Sequence, residues 1–311
     1  MSKSPTITRA TLAAAVATAL AVASGTASAL TIAPINSTAG IENALTSALL
    51  SPGGGVSIVA GSVTYQGTNN ANLQQSGTYS GFSLAPSSGT TPTLALGNGI
   101  VLTSGRANVP LSNTQNETTV ATASGSNSAL TALSGTGTND ANVLSFNFNV
   151  AAGLTSVSAQ FVFGTEEFPT QTVTDIFGFF VDGVNYAKFS SGELISNTPG
   201  NPTNFIANPV GGGLYGIEYN GLTQVFTVTG ILGTANADGS HTLTIGVADT
   251  SDTRFDSSVF ISALTAGAST GGGGIGNEPT IPAIPEPETY ALMLAGLGML
   301  GAVAKRRKPR R

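Results

Sequence analysis

The 311-residue sequence has no cysteine and no tryptophan, a single histidine, and only 9% charged residues. Without cysteine there is no disulfide framework, no thiol nucleophile and no zinc–thiolate site. One histidine leaves His241 as the sole candidate for imidazole chemistry. Disordered chains combine low hydrophobicity with high charge. Here 41% of residues are hydrophobic and few are charged, the reverse balance. What is abundant is glycine, 40 residues, with serine, threonine and asparagine between short apolar runs. That pattern predicts many strands and many turns.

Positive charge is nearly missing from the centre of the chain. The formal net charge is −5, but eight of the eleven basic residues are Lys3, Arg9, Lys305, Arg306, Arg307, Lys308, Arg310 and Arg311. Between Leu30 and Thr280 only Arg106, Lys188 and Arg254 face fourteen acidic residues, so the central region carries −11. Such a surface disfavours nucleic acid and anionic lipid, which both need a basic partner. It favours hard cations, or serves solubility.

The two ends read as processing segments. Lys3 and Arg9 precede the apolar stretch Ala10–Ala23, and Ala27-Ser28-Ala29 is a small-residue cleavage site. Together they predict a signal peptide over 1–29, removed by signal peptidase after Ala29. Gly- and Pro-rich sequence over 267–284 reads as a linker. Pro285-Glu286-Pro287 follows, then the apolar run Tyr290–Ala304 and a basic end. A helix over that run is about 22 Å long against a hydrocarbon core of about 30 Å, a marginal span held by its basic end on the cytoplasmic side.

This three-part order over 285–311 resembles a PEP-CTERM tail. The resemblance implies transient inner-membrane insertion and processing by an exosortase near Pro285, Glu286 and Pro287. It further implies export to the surface or extracellular matrix of a Gram-negative bacterium that makes exopolysaccharide.

Between the ends, no repeat and no internal linker is visible, so residues 30–266 are read as one domain. Ile41, Ala44, Leu45, Ala48 and Leu49 share a helical face, with Ser37 and Thr38 as candidate caps and Pro52-Gly53 as the stop. A second helix is expected over 126–133, closed by Gly135. Residues 143–150 and 157–163 alternate apolar and polar, and read as a hairpin or a crossover in a sandwich. Residues 176–181 form an unbroken apolar run, expected in a central strand. Further strands are expected at 56–63, 100–103, 186–189, 225–228, 243–247 and 259–263. The fold class is all-β: one β-sandwich or jelly-roll-like domain with one or two short helices, flanked by the signal peptide and a C-terminal anchor helix.

Five stretches carry a second resemblance: Gly99–Gly105, Thr138–Ala141, Phe161–Pro169, Asp175–Val181, and Ile245–Asp249 with Asp256–Phe260. They resemble the choice-of-anchor L domain, with Gly164 and Thr174 as the visible departures. That family pairs one extracellular domain with different anchoring tails, which implies location better than chemistry.

The candidate chemistry is acidic. Asp140, Glu166, Glu167, Asp175, Asp249 and Asp256 fall in the family-like stretches, and Asp182 and Asp252 lie nearby in sequence. Loop carboxylates suit Ca²⁺, which takes six to eight oxygens, although no EF-hand spacing is present. The competing reading makes them turn and cap residues bonded to backbone N–H groups. A carboxylate pair for glycoside hydrolysis is formally available among Glu166, Glu167 and Asp175, but neighbouring Glu166 and Glu167 point opposite ways on a strand, a poor pair unless a bulge intervenes. His241, after the turn Asp238-Gly239-Ser240, has no Gly-x-Ser-x-Gly elbow to serve. Tyr65, Tyr79, Tyr215 and Tyr219 sit among Gly and Asn, either as a sugar-stacking face or as turn packing. The expected function is a non-enzymatic structural or adhesive surface module that binds exopolysaccharide and Ca²⁺. The alternative is a polysaccharide-active hydrolase displayed by the same tail.

Overall fold

The computed structural model describes residues 30–169, 174–196, 204–269 and 271–276. The signal segment with Ala27 and Ala29, linker residues 277–284, and the tail with Pro285, Glu286, Pro287 and its expected helix lie outside the described residues. No helix among the described residues is long and apolar enough to cross a membrane.

Two antiparallel sheets pack face to face. The first contains β1 (Thr31–Pro34), β4 (Ser76–Leu84), β5 (Leu94–Thr103), β14 (Ser257–Gly267), β7 (Ser156–Thr165), β11 (Gly221–Thr223) and β10 (Phe205–Ala207), in that spatial order. β12 (Phe226–Ile231) also pairs with β7, and β15 (Gly274–Ile275) pairs with β12. The second sheet runs β2 (Val56–Ile58), β6 (Thr138–Val150), β13 (His241–Thr250), β8 (Ile176–Val181) and β9 (Val184–Asn185), with β3 (Thr64–Gln66) also against β6. Two helices complete the fold, α1 (Ile41–Leu49) and α2 (Ser128–Ser134).

The period of two along each strand builds the core. Leu144, Phe146 and Phe148 of β6, Phe161 and Phe163 of β7, Leu243, Ile245 and Val247 of β13, and Val259 and Ile261 of β14 meet between the sheets. Ile41, Leu45 and Leu49 of α1 fill the same interior. The outer face of the first sheet is also covered: Val101, Val162 and Phe260 lie under Tyr215, Ile217 and Tyr219. The outer face of the second sheet carries α2. There Leu130 packs with Val143, Ile176 and Phe180.

This double covering explains the unbroken run of β8. Phe177, Phe179 and Val181 face the interior, while Ile176 and Phe180 face α2, so neither side meets water. Two glycines make room for the helix. Gly178 and Gly246 are cross-strand partners, and a β-carbon on either would sit 3.1–3.2 Å from a methyl of Leu130.

β6 and β7 belong to different sheets, so of the two connections expected theirs is the crossover. Other expectations are corrected. The strand expected over 56–63 ends at Ile58, because the chain turns through Val59–Ser62 with Gly61 at φ 75°, and β3 begins only at Thr64. Residues 186–189 form no strand; Lys188 makes only an isolated bridge to Leu194. Gly40, in the left-handed conformation, precedes α1 in place of a Ser37 or Thr38 side-chain cap. β14 ends at Gly267, and the two-residue β15 lies in the span read as linker.

Candidate functional site

The six acidic residues come together at one end of the sandwich. Glu166 and Glu167 follow β7, Asp175 precedes β8, Asp249 lies near the end of β13, Asp256 precedes β14, and Asp140 lies near the start of β6. Antiparallel pairing brings these termini to the same end, and none of the six residues is more than 3% exposed. Ala248 pairs with Ile176, so Asp249 and Asp175 stand opposite each other one position further on. Both continue the inward alternation of their strands, beyond Val247 and Phe177. Ser257 likewise continues the inward stripe of Val259 and Ile261. Asp140 reaches the same region through a bulge: its φ is 46°, and the β6–β13 register shifts between Val247 and Asp249.

A long irregular strap, residues 104–127, runs from β5 to α2 and closes this end. Loops of that length inside a compact domain are uncommon and tend to be functional. Carboxylates fasten it along its course. Glu218 accepts from the Ser112 hydroxyl and from the backbone N–H of Thr114 and Gln115. Oε1 of Glu166 accepts from Thr118 N–H at 2.8 Å and from the Thr118 hydroxyl. Oδ2 of Asp256 accepts from Val120 N–H at 3.0 Å, and Oδ1 of Asp140 from Ala123 N–H at 2.8 Å. Three of the six acids therefore do bond turn and loop amides, as the cap reading expects.

Their other oxygens do not. Oδ2 of Asp140, Oε2 of Glu166 and Oδ1 of Asp256 are buried without a hydrogen-bond partner, as are both oxygens of Asp175 and of Asp249. The Ser257 hydroxyl is in the same condition. It lies near enough to Asp175 to favour its charged form, as Ser104 does for Asp249, yet neither contact reaches hydrogen-bond geometry. The Glu167 carboxyl lies beside the backbone N–H of Asp175. No basic side chain compensates: among the described residues the ion pairs are His241–Asp182 and the exposed Arg254–Glu117. Among the described residues, too, no three acidic or histidine side chains stand in a finished metal-ligand arrangement.

Burial dominates the electrostatics of Glu166, Glu167, Asp175, Asp249 and Asp256. Burial raises Glu166 to about 7 and Asp256 to about 9, with neighbouring acids adding to it. Burial, then the charges of Asp249 and Glu167, holds Asp175 well above the ordinary range. Glu167 and Asp249 are raised for the same first reason.

The other candidates are placed differently. His241 Nδ1 bonds Oδ2 of Asp182 at 2.8 Å, and Asp182 also accepts from Thr242 N–H and Gly233 N–H, which makes it an anchor for the start of β13. Tyr79, Tyr215 and Tyr219 are buried, and Tyr65 bonds Asn69 and Ser76. The sugar-stacking face is therefore corrected to core packing. Beside the strap lies an open cavity of about 440 Å³, lined in part by Arg106, Gln115, Glu117, Thr119 and Asp256. Sequence reasoning did not single out Ser257, Glu218 or the strap. The Asn- and Thr-rich run from Ser112 to Ser128 was the available signal for the strap.

Residues 283–308 match the PEP-CTERM protein-sorting motif, which marks the chain for exosortase-dependent export and surface sorting. No curated protein and no solved structure matches the chain. The choice-of-anchor L domain matches residues 34–266, which take in the two sheets except β15 and most of β1, together with the whole strap and all six buried carboxylates. With more than half of its length matched in this way, the chain belongs to the choice-of-anchor L domain family.

Proposed function

We propose that this domain is a non-enzymatic structural or adhesive module that holds exopolysaccharide at the cell surface, delivered there through exosortase-dependent sorting. The observation that supports it is the covering of the acidic cluster. Glu166, Glu167 and Asp175, the residues that would have to act as acid and base in glycoside hydrolysis, are buried beneath the strap, and Glu166 is fastened to one of its amides, as Asp256 and Asp140 are to others. Glu166 is directed to the strap, whereas Glu167 interacts with Asp249 and Asp252, so the two do not face a common substrate position.

The test incubates the exported protein with the host's own exopolysaccharide. The expected outcome is retention on the polymer with no release of reducing ends. Failure of retention would overturn the adhesive role. Release that disappears in a Glu167→Gln variant would replace this reading by a surface-displayed hydrolase.

A further inference from the structure

We propose that the carboxylates at this end of the sandwich hold a divalent cation, calcium, beneath the strap. The inference is independent of whether the domain holds a polysaccharide.

Two observations carry it. The first is the absence of any other counter-charge. Asp175 and Asp249 occupy opposite inward positions where the neighbouring stripe is phenylalanine and valine, with no basic side chain beside them; their near neighbours are each other and the hydroxyls of Ser257 and Ser104, none in good hydrogen-bond geometry. Like charges directly opposed across two strands destabilise a sheet, and an unpaired buried carboxylate costs more still. The three basic side chains of the domain are turned to solvent, although Arg106 lines the cavity that Asp256 also borders. Arg254 is exposed beside Glu117, Arg106 is exposed and donates to the Asn72 carbonyl, and Lys188 is exposed. The second observation does not come from an acid. The Ser257 hydroxyl is fully buried, has no hydrogen-bond partner, and sits on the inward stripe beside Asp175. A neutral oxygen left bare next to bare carboxylates is the mixture of donors that calcium takes.

The strap completes the argument. Asp140, Glu166 and Asp256 each give one oxygen to a strap amide and leave the other unsatisfied. A cation bound by the free oxygens would join the ends of both sheets and the strap through the same side chains. Among the described residues no three of these carboxylates already surround one point, so the ion would have to draw them together. Mg²⁺ demands a near-ideal octahedron, whereas Ca²⁺ accepts six to eight oxygens in flexible geometry.

The test uses the exported protein. Its metal content is measured first, followed by thermal unfolding after chelation and after addition of Ca²⁺ or Mg²⁺. The expected results are about one calcium per chain and a rise in Tm of roughly 5–10 °C at a free calcium a hundred times Kd, with a smaller response to magnesium. Chelation should also open residues 104–127 to limited proteolysis. The Asp175→Asn/Asp249→Asn variant should lose both the bound calcium and the rise, while Asp238→Asn, at an exposed turn, should keep both. A metal-free protein with no shift at millimolar calcium would overturn the proposal. So would calcium binding that is unchanged in the double variant.

Discussion

At Gly105 a β-carbon would fall 1.7 Å from Oδ2 of Asp256, the oxygen that accepts from Val120. Gly105→Ala must displace that carboxylate or the strap, and is expected to lower stability by about 1–3 kcal/mol, read as a shift in the urea midpoint. Glu218 shows how the strap responds to pH. Burial alone would raise its carboxyl, but hydrogen bonds from Ser112, Gln115 and Thr114 outweigh this and hold it below the usual value. A group depressed in the folded state stabilises above its unfolded pKa and loses that contribution as pH falls through its folded pKa. Acidification below the ordinary carboxylate range should therefore loosen residues 112–115, seen as faster amide exchange there. Glu218→Gln should remove that part of the pH dependence. At this scale the acids were legible from their position in the family-like stretches, whereas the tyrosines were not. Tyr219 among Gly and Asn looks exposed in sequence, yet the segment folds over the outer face of the first sheet and its hydroxyl meets Ser258.

At the scale of elements, α2 gives the clearest test. Asn127 caps it, accepting from Ala129 N–H and Leu130 N–H, and Gly135 ends it in the left-handed conformation. Asn127→Ala should cost about 1 kcal/mol. Leu130→Ala, which empties the seat over Gly178 and Gly246, should cost about 2–5 kcal/mol. Both are measured by denaturant unfolding, and equal costs would mean that Leu130 does not anchor the helix. Both helices and the centres of β6, β7, β8, β13 and β14 could be read from period and punctuation. Short strands such as β9, β10, β11 and β15 could not, because two or three residues carry no period and their pairing is set by the neighbour. Strand β4 escaped for another reason: its Gly-, Ser- and Thr-rich sequence hides Tyr79, Phe82 and Leu84, and its register against β5 shifts twice.

For the whole molecule, chain order ties the sheets together. β6, β8 and β13 of one sheet alternate in sequence with β7, β12 and β14 of the other, around a shared core. Unfolding should therefore be one cooperative transition, with tyrosine fluorescence and far-UV circular dichroism changing at the same denaturant concentration. Two separated transitions would show that the sheets are independent units. The sequence by itself determined what depends on local pattern: an all-β chain of low charge, its helices and most of its long strands, and the sorting tail that matches over 283–308. Tertiary structure alone decided that acids spread from Asp140 to Asp256 share one sealed end, and that Ser257 joins them. The physical reason is that period and composition are properties of neighbours along the chain. Convergence depends on which strands pair, in what register, and where a bulge turns Asp140 inward.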